Sequence, residues 1–223
     1  MNNDKNLNKD IAIKSNSRGN DISTRQKKLL IKRTGKPVKA QLTEIGSVYL
    51  LVDCSGSMDI EEKIEQAKSG ALNFAIDAID NNYKVGLIEF NYDAYELCEP
   101  SRDIELLEHK INLLIALGDT NMASAIFLAN SKLTMENERK RGRLVMVIIT
   151  DGKPNSESAA LNQADCAKSN NIDIITIGTD DADEDFLSKL ASKSELVKMV
   201  SRNNLATGIN SAAKLLPKPR SID

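Results

Sequence analysis

Residues 47–58 read SVYLLVDCSGSM: a strand-length apolar run, then Asp53, then Cys54, Ser55, Gly56 and Ser57 in direct succession. From Val48 to Val52 no polar residue alternates with the apolar ones. Continuous hydrophobicity of that length implies burial on both faces, as in a parallel sheet covered by helices. Nearly continuous apolar runs return in VGLIEF (85–90), RLVMVIIT (143–150), IDIITIG (172–178) and ELVKMV (195–200), mostly rich in β-branched residues. Between these runs lie apolar stripes at helical spacing: Ile64, Ala67, Ala71, Phe74 or Ala75 and Ala78; then Met122, Ile126, Ala129 and Leu133; then Ala160, Ala164 and Ala167. One further run, AYELCE (94–99), follows VGLIEF after only Asn91, Tyr92 and Asp93. A link that short makes a hairpin, so this strand must be antiparallel and at an edge. The pattern predicts an α/β fold: a Rossmann-like, doubly wound, mostly parallel six-stranded sheet with one antiparallel edge strand and helices on both faces.

In such sheets ligands sit beyond the carboxyl ends of the strands. Three loops should share that rim: Asp53-Cys54-Ser55-Gly56-Ser57-Met58, Gly118-Asp119-Thr120-Asn121-Met122, and Thr150-Asp151-Gly152. Each has a plain alternative. Ser55 or Ser57 can cap the following helix, and Thr150-Asp151-Gly152 taken alone reads as a strand-ending turn. Capping, however, leaves Asp53, Thr120 and Asp151 unexplained.

Joined to the strand pattern, these loops resemble those of the von Willebrand factor A (vWA) family over roughly residues 45–215. That family builds a metal-ion-dependent adhesion site from an Asp-x-Ser-x-Ser loop, a later threonine and an aspartate ending the fourth strand. The matching positions are Asp53, Ser55, Ser57, Thr120 and Asp151. The resemblance implies that Ser55, Ser57 and Thr120 bind the ion directly or nearly so, with Asp53 and Asp151 acting through waters or through the hydroxyls. One departure is Asp119, where a glycine commonly precedes the threonine; its carboxylate can face solvent, bias metal affinity or discourage an acidic ligand. Five hard oxygen ligands with no His or Cys favour Mg²⁺, or else Mn²⁺ or Ca²⁺, over zinc.

The implied function is a metal-dependent protein-interaction module, an adaptor or regulatory subunit rather than an enzyme. A partner protein would supply a Glu or Asp to the ion; a separate ATPase or a kinase or phosphatase subunit is the kind of partner relatives suggest. The chain has no phosphate-cradling G-x-x-x-x-G-K-[ST] loop of its own. The rim facing that partner is expected to include Met58, Asp59, Asn91, Tyr92, Asn121, Met122, Pro154 and Asn155. An alternative is a Mg²⁺-dependent phosphatase, but the Asp-x-Asp pattern of haloacid-dehalogenase-type enzymes is broken here by Ser55, and only Lys153 offers itself to steady a phosphoaspartate.

Residues 1–44 carry eleven basic against four acidic residues, and the remainder nineteen against twenty-eight. The reading is a basic, flexible segment (1–44), a vWA domain (45–216) and a short tail (217–223). Nucleic-acid tethering through the basic segment is a third possibility, and with no aromatic residue before Tyr49 it would be electrostatic and salt-sensitive. Cys54, Cys98 and Cys166 suit neither a disulfide framework nor a metal cluster, no apolar run spans a bilayer, and MNNDKNLNKD is too polar for a secretory signal. A cytoplasmic protein that does not engage membrane is expected. The lone His109 has no partner for Cys54, the acidic run Asp180–Asp185 is read as complementing a helix dipole, and Arg139, Lys140, Arg141 and Arg143 as a solvated loop.

Overall fold

A computed structural model describes residues 42–137, 142–219 and 221–222. Six strands form one sheet: β1 (Gly46–Asp53), β2 (Tyr83–Phe90), β3 (Ala94–Ser101), β4 (Leu144–Thr150), β5 (Ile172–Thr179) and β6 (Val197–Val200). Their spatial order is β3-β2-β1-β4-β5-β6. All neighbours pair in parallel except β2 with β3, the hairpin that the three-residue link demanded. The chain starts in the middle of the sheet at β1 and winds outward in both directions, so the switch point lies between β1 and β4.

The helices are α1 (Lys63–Asp80), α2 (Ile104–Asn112), α3 (Met122–Asn137), α4 (Glu157–Ser169), α5 (Glu184–Leu190) and α6 (Leu205–Ala212). The period of two along β1 sorts its side chains between two cores. Val48, Leu50 and Val52 join Ile64, Ala67, Ala71 and Phe74 of α1 and Leu205 and Ile209 of α6. Tyr49 and Leu51 join Met122, Ile126, Ala129 and Leu133 of α3 and the alanines of α4. Both faces of β1 are thus buried along its whole length, which is why its sequence does not alternate.

The boundaries differ from expectation in two places. The run 195–200 is a strand only from Val197, because Leu196 N–H donates to the Lys193 carbonyl and closes a 3₁₀ turn over Ser194–Leu196. The edge strand runs on to Ser101, with an irregular register between Val85 and Ile88. Edge irregularity of this kind disfavours pairing with another chain. Polar contacts also fasten this edge, since the Tyr49 hydroxyl and the Lys132 ammonium both donate to Glu96.

Leu42–Thr43 and Ser221–Ile222 make a short antiparallel pair. The expectations for the basic segment up to Gln41, and for Arg139, Lys140 and Arg141, lie outside the described residues. Among the described residues no helix is long and apolar enough to cross a membrane.

Candidate functional site

β1 and β4 are neighbours and end together, so Asp53 and Asp151 leave the sheet side by side. Asp53 is fully buried. One of its oxygens accepts from Ser55 N–H (2.9 Å) and the other from the Thr150 hydroxyl (2.6 Å). Burial pushes its carboxyl up to about 6; the Thr150 and Ser55 hydrogen bonds pull it down, and the neighbouring charge of Asp151 adds to the rise. A carboxylate this dry favours a nearby cation.

Ser55 stands in the capping position of a 3₁₀ turn with extended backbone, yet its side chain makes no capping bond. Its hydroxyl lies 3.0 Å from that of Ser57, which in turn donates to Asp151 Oδ1 at 2.7 Å. The helix-cap alternative therefore does not account for the serines. Ser55, Ser57 and Asp151 form a continuous string of oxygens, with Asp53 braced behind it.

The Thr120 loop is drawn to the same place by the backbone. Gly56 N–H donates to Gly118 O (3.0 Å), and Leu117 N–H to Cys54 O (2.7 Å). Asn155, from the loop after β4, clamps Thr120 twice, through its side-chain oxygen to Thr120 N–H and its own N–H to Thr120 O. Gly118 has φ +96°, and a Cβ there would lie 2.6 Å from the Tyr92 ring, so both conformation and contact require glycine. Asp119 is exposed and accepts from Thr120 N–H, so it helps shape its own loop.

The structure thus brings together all three loops that carry Asp53, Ser55, Ser57, Thr120 and Asp151. The expected rim divides. Asp59, Asn91, Tyr92, Asn121 and Asn155 are exposed or half-buried. Met58, Met122 and Pro154 are buried and cannot face a partner; Met58 packs into the α1 core and Met122, at the start of α3, into the other. Ile115 and Leu117, absent from the expected rim, are highly exposed on the loop bonded to Cys54. Nothing in their spacing distinguishes them from core residues of a helix end.

Lys63 was also hidden. It opens α1 and is 3% exposed, and its ammonium donates to Asp151 Oδ2 at 2.5 Å and to Asp181 at 3.3 Å. Burial works against its charge, but the hydrogen bonds and attraction of Asp151 and Asp181 outweigh it and raise its pKa above the usual lysine range. Arg202 extends the network, pairing with Asp181 (2.8 Å) and Glu61 (3.1 Å). The acidic run thereby splits in role: Asp183 caps α5, accepting from Phe186 N–H, while Asp181 holds cations.

The other candidates have ordinary places. The Cys54 thiol is buried in the core, and burial raises its pKa, so it supplies no thiolate. His109 is exposed on α2. Lys153 pairs with Asp183 at 3.1 Å. No group of three or more His, Cys, Asp or Glu gathers among the described residues. The oxygens that Asp53, Ser55, Ser57 and Asp151 bring to this rim are hard donors, and such a set fits Mg²⁺, Mn²⁺ or Ca²⁺.

Loops gathering hydroxyl and carboxylate oxygens at the carboxyl edge of a doubly wound sheet define a class of α/β ligand-binding module. Within that class, the von Willebrand factor type A domain model matches residues 47–212, and the chain belongs to this family. The Magnesium-chelatase 67 kDa subunit of Chlorobaculum parvum is 28% identical over 144 residues, 63% of this chain and 23% of that protein. An uncharacterized protein of Methanocaldococcus jannaschii is 31% identical over 101 residues, 44% of this chain and 58% of that one. The matched region therefore spans only about a quarter of the chelatase subunit. Among solved structures, the vWF domain of the type V pili tip protein Mfa5 from Porphyromonas gingivalis superposes with TM-score 0.70 at 14% identity, covering 78% of this chain and 95% of that one. The manganese-loaded Plasmodium vivax TRAP protein gives 0.63 at 21% identity, covering 77% and 75%. At these identities the likeness shows the fold.

Proposed function

We propose that the chain is a non-catalytic interaction module that holds one divalent cation, Mg²⁺ by preference, and uses it to grip an acidic side chain of a partner protein. The observation that carries this reading is the oxygen string Ser55–Ser57–Asp151 with buried Asp53 behind it. Ser55, Ser57 and Thr120 would hold the ion, while Asp53 and Asp151 orient the hydroxyls and balance charge. An ion held largely by neutral hydroxyls keeps much of its charge and attracts a carboxylate. Asp53 is fixed by Thr150 and Ser55, so that acid is preorganised, while Asp151 offers one oxygen to Ser57 and the other to Lys63.

Around this point Tyr92, Ile115 and Leu117 expose apolar surface, and Asn91, Asn121 and Asn155 supply polar edges. An acidic residue flanked by apolar ones is the partner motif that suits this rim. A separate ATPase, or a kinase or phosphatase subunit, is the class of partner favoured; the chelatase relative's being a subunit of an assembly agrees with that. Three free thiols, at Cys54, Cys98 and Cys166, agree with a reducing, cytoplasmic setting.

The test is capture of partners from host lysate by wild type and by a Ser55→Ala, Ser57→Ala variant, each in Mg²⁺ and in EDTA. A partner retained only by wild type and only with Mg²⁺ is expected. Partners that bind regardless of metal and variant would refute the reading. Hydrolysis of a generic phosphate ester should stay at the blank rate with or without Mg²⁺; turnover lost in Asp53→Asn would instead make the protein an enzyme.

A further inference from the structure

Lys63 breaks the rule its position should obey. It is the first residue of α1, where the helix dipole favours acids and disfavours a cation. It is buried, and a buried ammonium is costly unless paired on good geometry. The backbone entering the helix is itself unusual: Glu61 and Glu62 both sit in the left-handed region, at φ 55° and 56°. Non-glycine residues in that region carry strain that surrounding contacts must offset. Here Glu61 is held by Arg202, and the turn delivers Lys63, whose side chain leans toward the helix N-terminus, onto Asp151. A dipole conflict, a desolvated charge and a strained entry all converge on one ammonium, which donates to Asp151 at the rim and, at longer range, to the half-exposed Asp181.

That contact occupies a decisive oxygen. Asp151 offers Oδ1 to Ser57 and Oδ2 to Lys63, so the ammonium and the serine pair flank a single carboxylate. Resting on the metal-site reading above, we propose that Lys63 is a positioning residue that shares Asp151 with the metal. It stands in as the counter-charge when no ion is bound and weakens metal binding by holding part of the carboxylate's charge. Removing its charge should therefore move two quantities in opposite directions. Without metal, Asp151 loses its buried counter-charge and the fold weakens. With metal, one repulsive cation is gone and the whole carboxylate serves the ion, so binding tightens. A lysine that merely packs would lower stability and leave metal affinity unchanged or weaker.

The experiment uses the whole 223-residue chain and Mn²⁺ alone as probe, with free Mn²⁺ counted by electron paramagnetic resonance. Wild type, Lys63→Met, Lys63→Gln and Lys63→Arg are titrated, and each is melted in EDTA. Lys63→Gln keeps a donor toward Asp151 and guards against a Lys63→Met protein that fails to fold. The expected result is tighter Mn²⁺ binding, about tenfold or more, in Met or Gln, with a lower melting temperature in EDTA. Lys63→Arg, which keeps the charge, should bind Mn²⁺ close to wild type. Unchanged or weaker Mn²⁺ binding in both neutral variants, with wild type binding normally, would overturn this role while leaving the metal site intact. Wild type that binds no Mn²⁺ would overturn the metal site and this role together.

Discussion

At the residue scale the site depends on keeping acids dry and aimed. Thr150 donates its hydroxyl to the fully buried Asp53, and a buried carboxylate that loses such a donor bears about 1–3 kcal/mol. Thr150→Val keeps the shape and removes the bond. It should lower stability by about that amount in urea unfolding without metal. It should also weaken Mg²⁺ binding, because Asp53 is no longer oriented. The five candidate ligands were legible in the sequence because each lies at or just after a strand end, or on a loop facing one, where a doubly wound sheet must place its functional groups. Thr150 was visible only as part of a turn. Lys63 was not legible at all: one lysine ahead of an amphipathic stripe looks like any solvated lysine, and its burial follows from the left-handed turn at Glu61 and Glu62. Met58 and Met122 misled for the converse reason. They share loops with ligands, but the first turns of the structures that follow roll them inward.

At the scale of elements, α1 and α6 meet at Gly70. A Cβ there would lie 2.8 Å from both the Ala206 carbonyl oxygen and Ile209 Cβ of α6, so the two helices touch backbone to backbone. Gly70→Ala gains about 0.5–1 kcal/mol in helix propensity, yet overpacking against a backbone costs about 1–3 kcal/mol. The clash wins, and the variant should unfold at lower urea concentration. Gly152→Ala is the control: a Cβ at that position would meet nothing within 4 Å, and the variant should change stability by no more than about 0.5 kcal/mol. The α1 stripe gave no warning of this approach, since a glycine in a helix reads only as a weak position. Strands β1, β2, β4 and β5 were legible because burial on both faces leaves a nearly continuous apolar run. β6 was harder because its four residues are all half-buried at the sheet edge, where hydrophobicity fades and a turn can intrude.

At the scale of the molecule, two cores on opposite faces of one sheet support the rim from which the three loops project, and the proposed ion would be the element added to it. A ligand that binds only the folded state stabilises it by about 2.7 kcal/mol at a hundredfold excess over its dissociation constant. Saturating Mg²⁺ should accordingly raise the melting temperature of wild type relative to EDTA, and should leave the Ser55→Ala, Ser57→Ala variant unmoved. The family was legible from the sequence because strand pattern and three loops agree; the partner was not, because the surface chemistry of Tyr92, Ile115 and Leu117 suits many proteins. The most direct measurement is calorimetric titration of purified wild type and the double-serine variant with Mg²⁺. One ion per chain in wild type and none in the variant is the predicted result; no binding to wild type, or equal binding to both, would contradict the account.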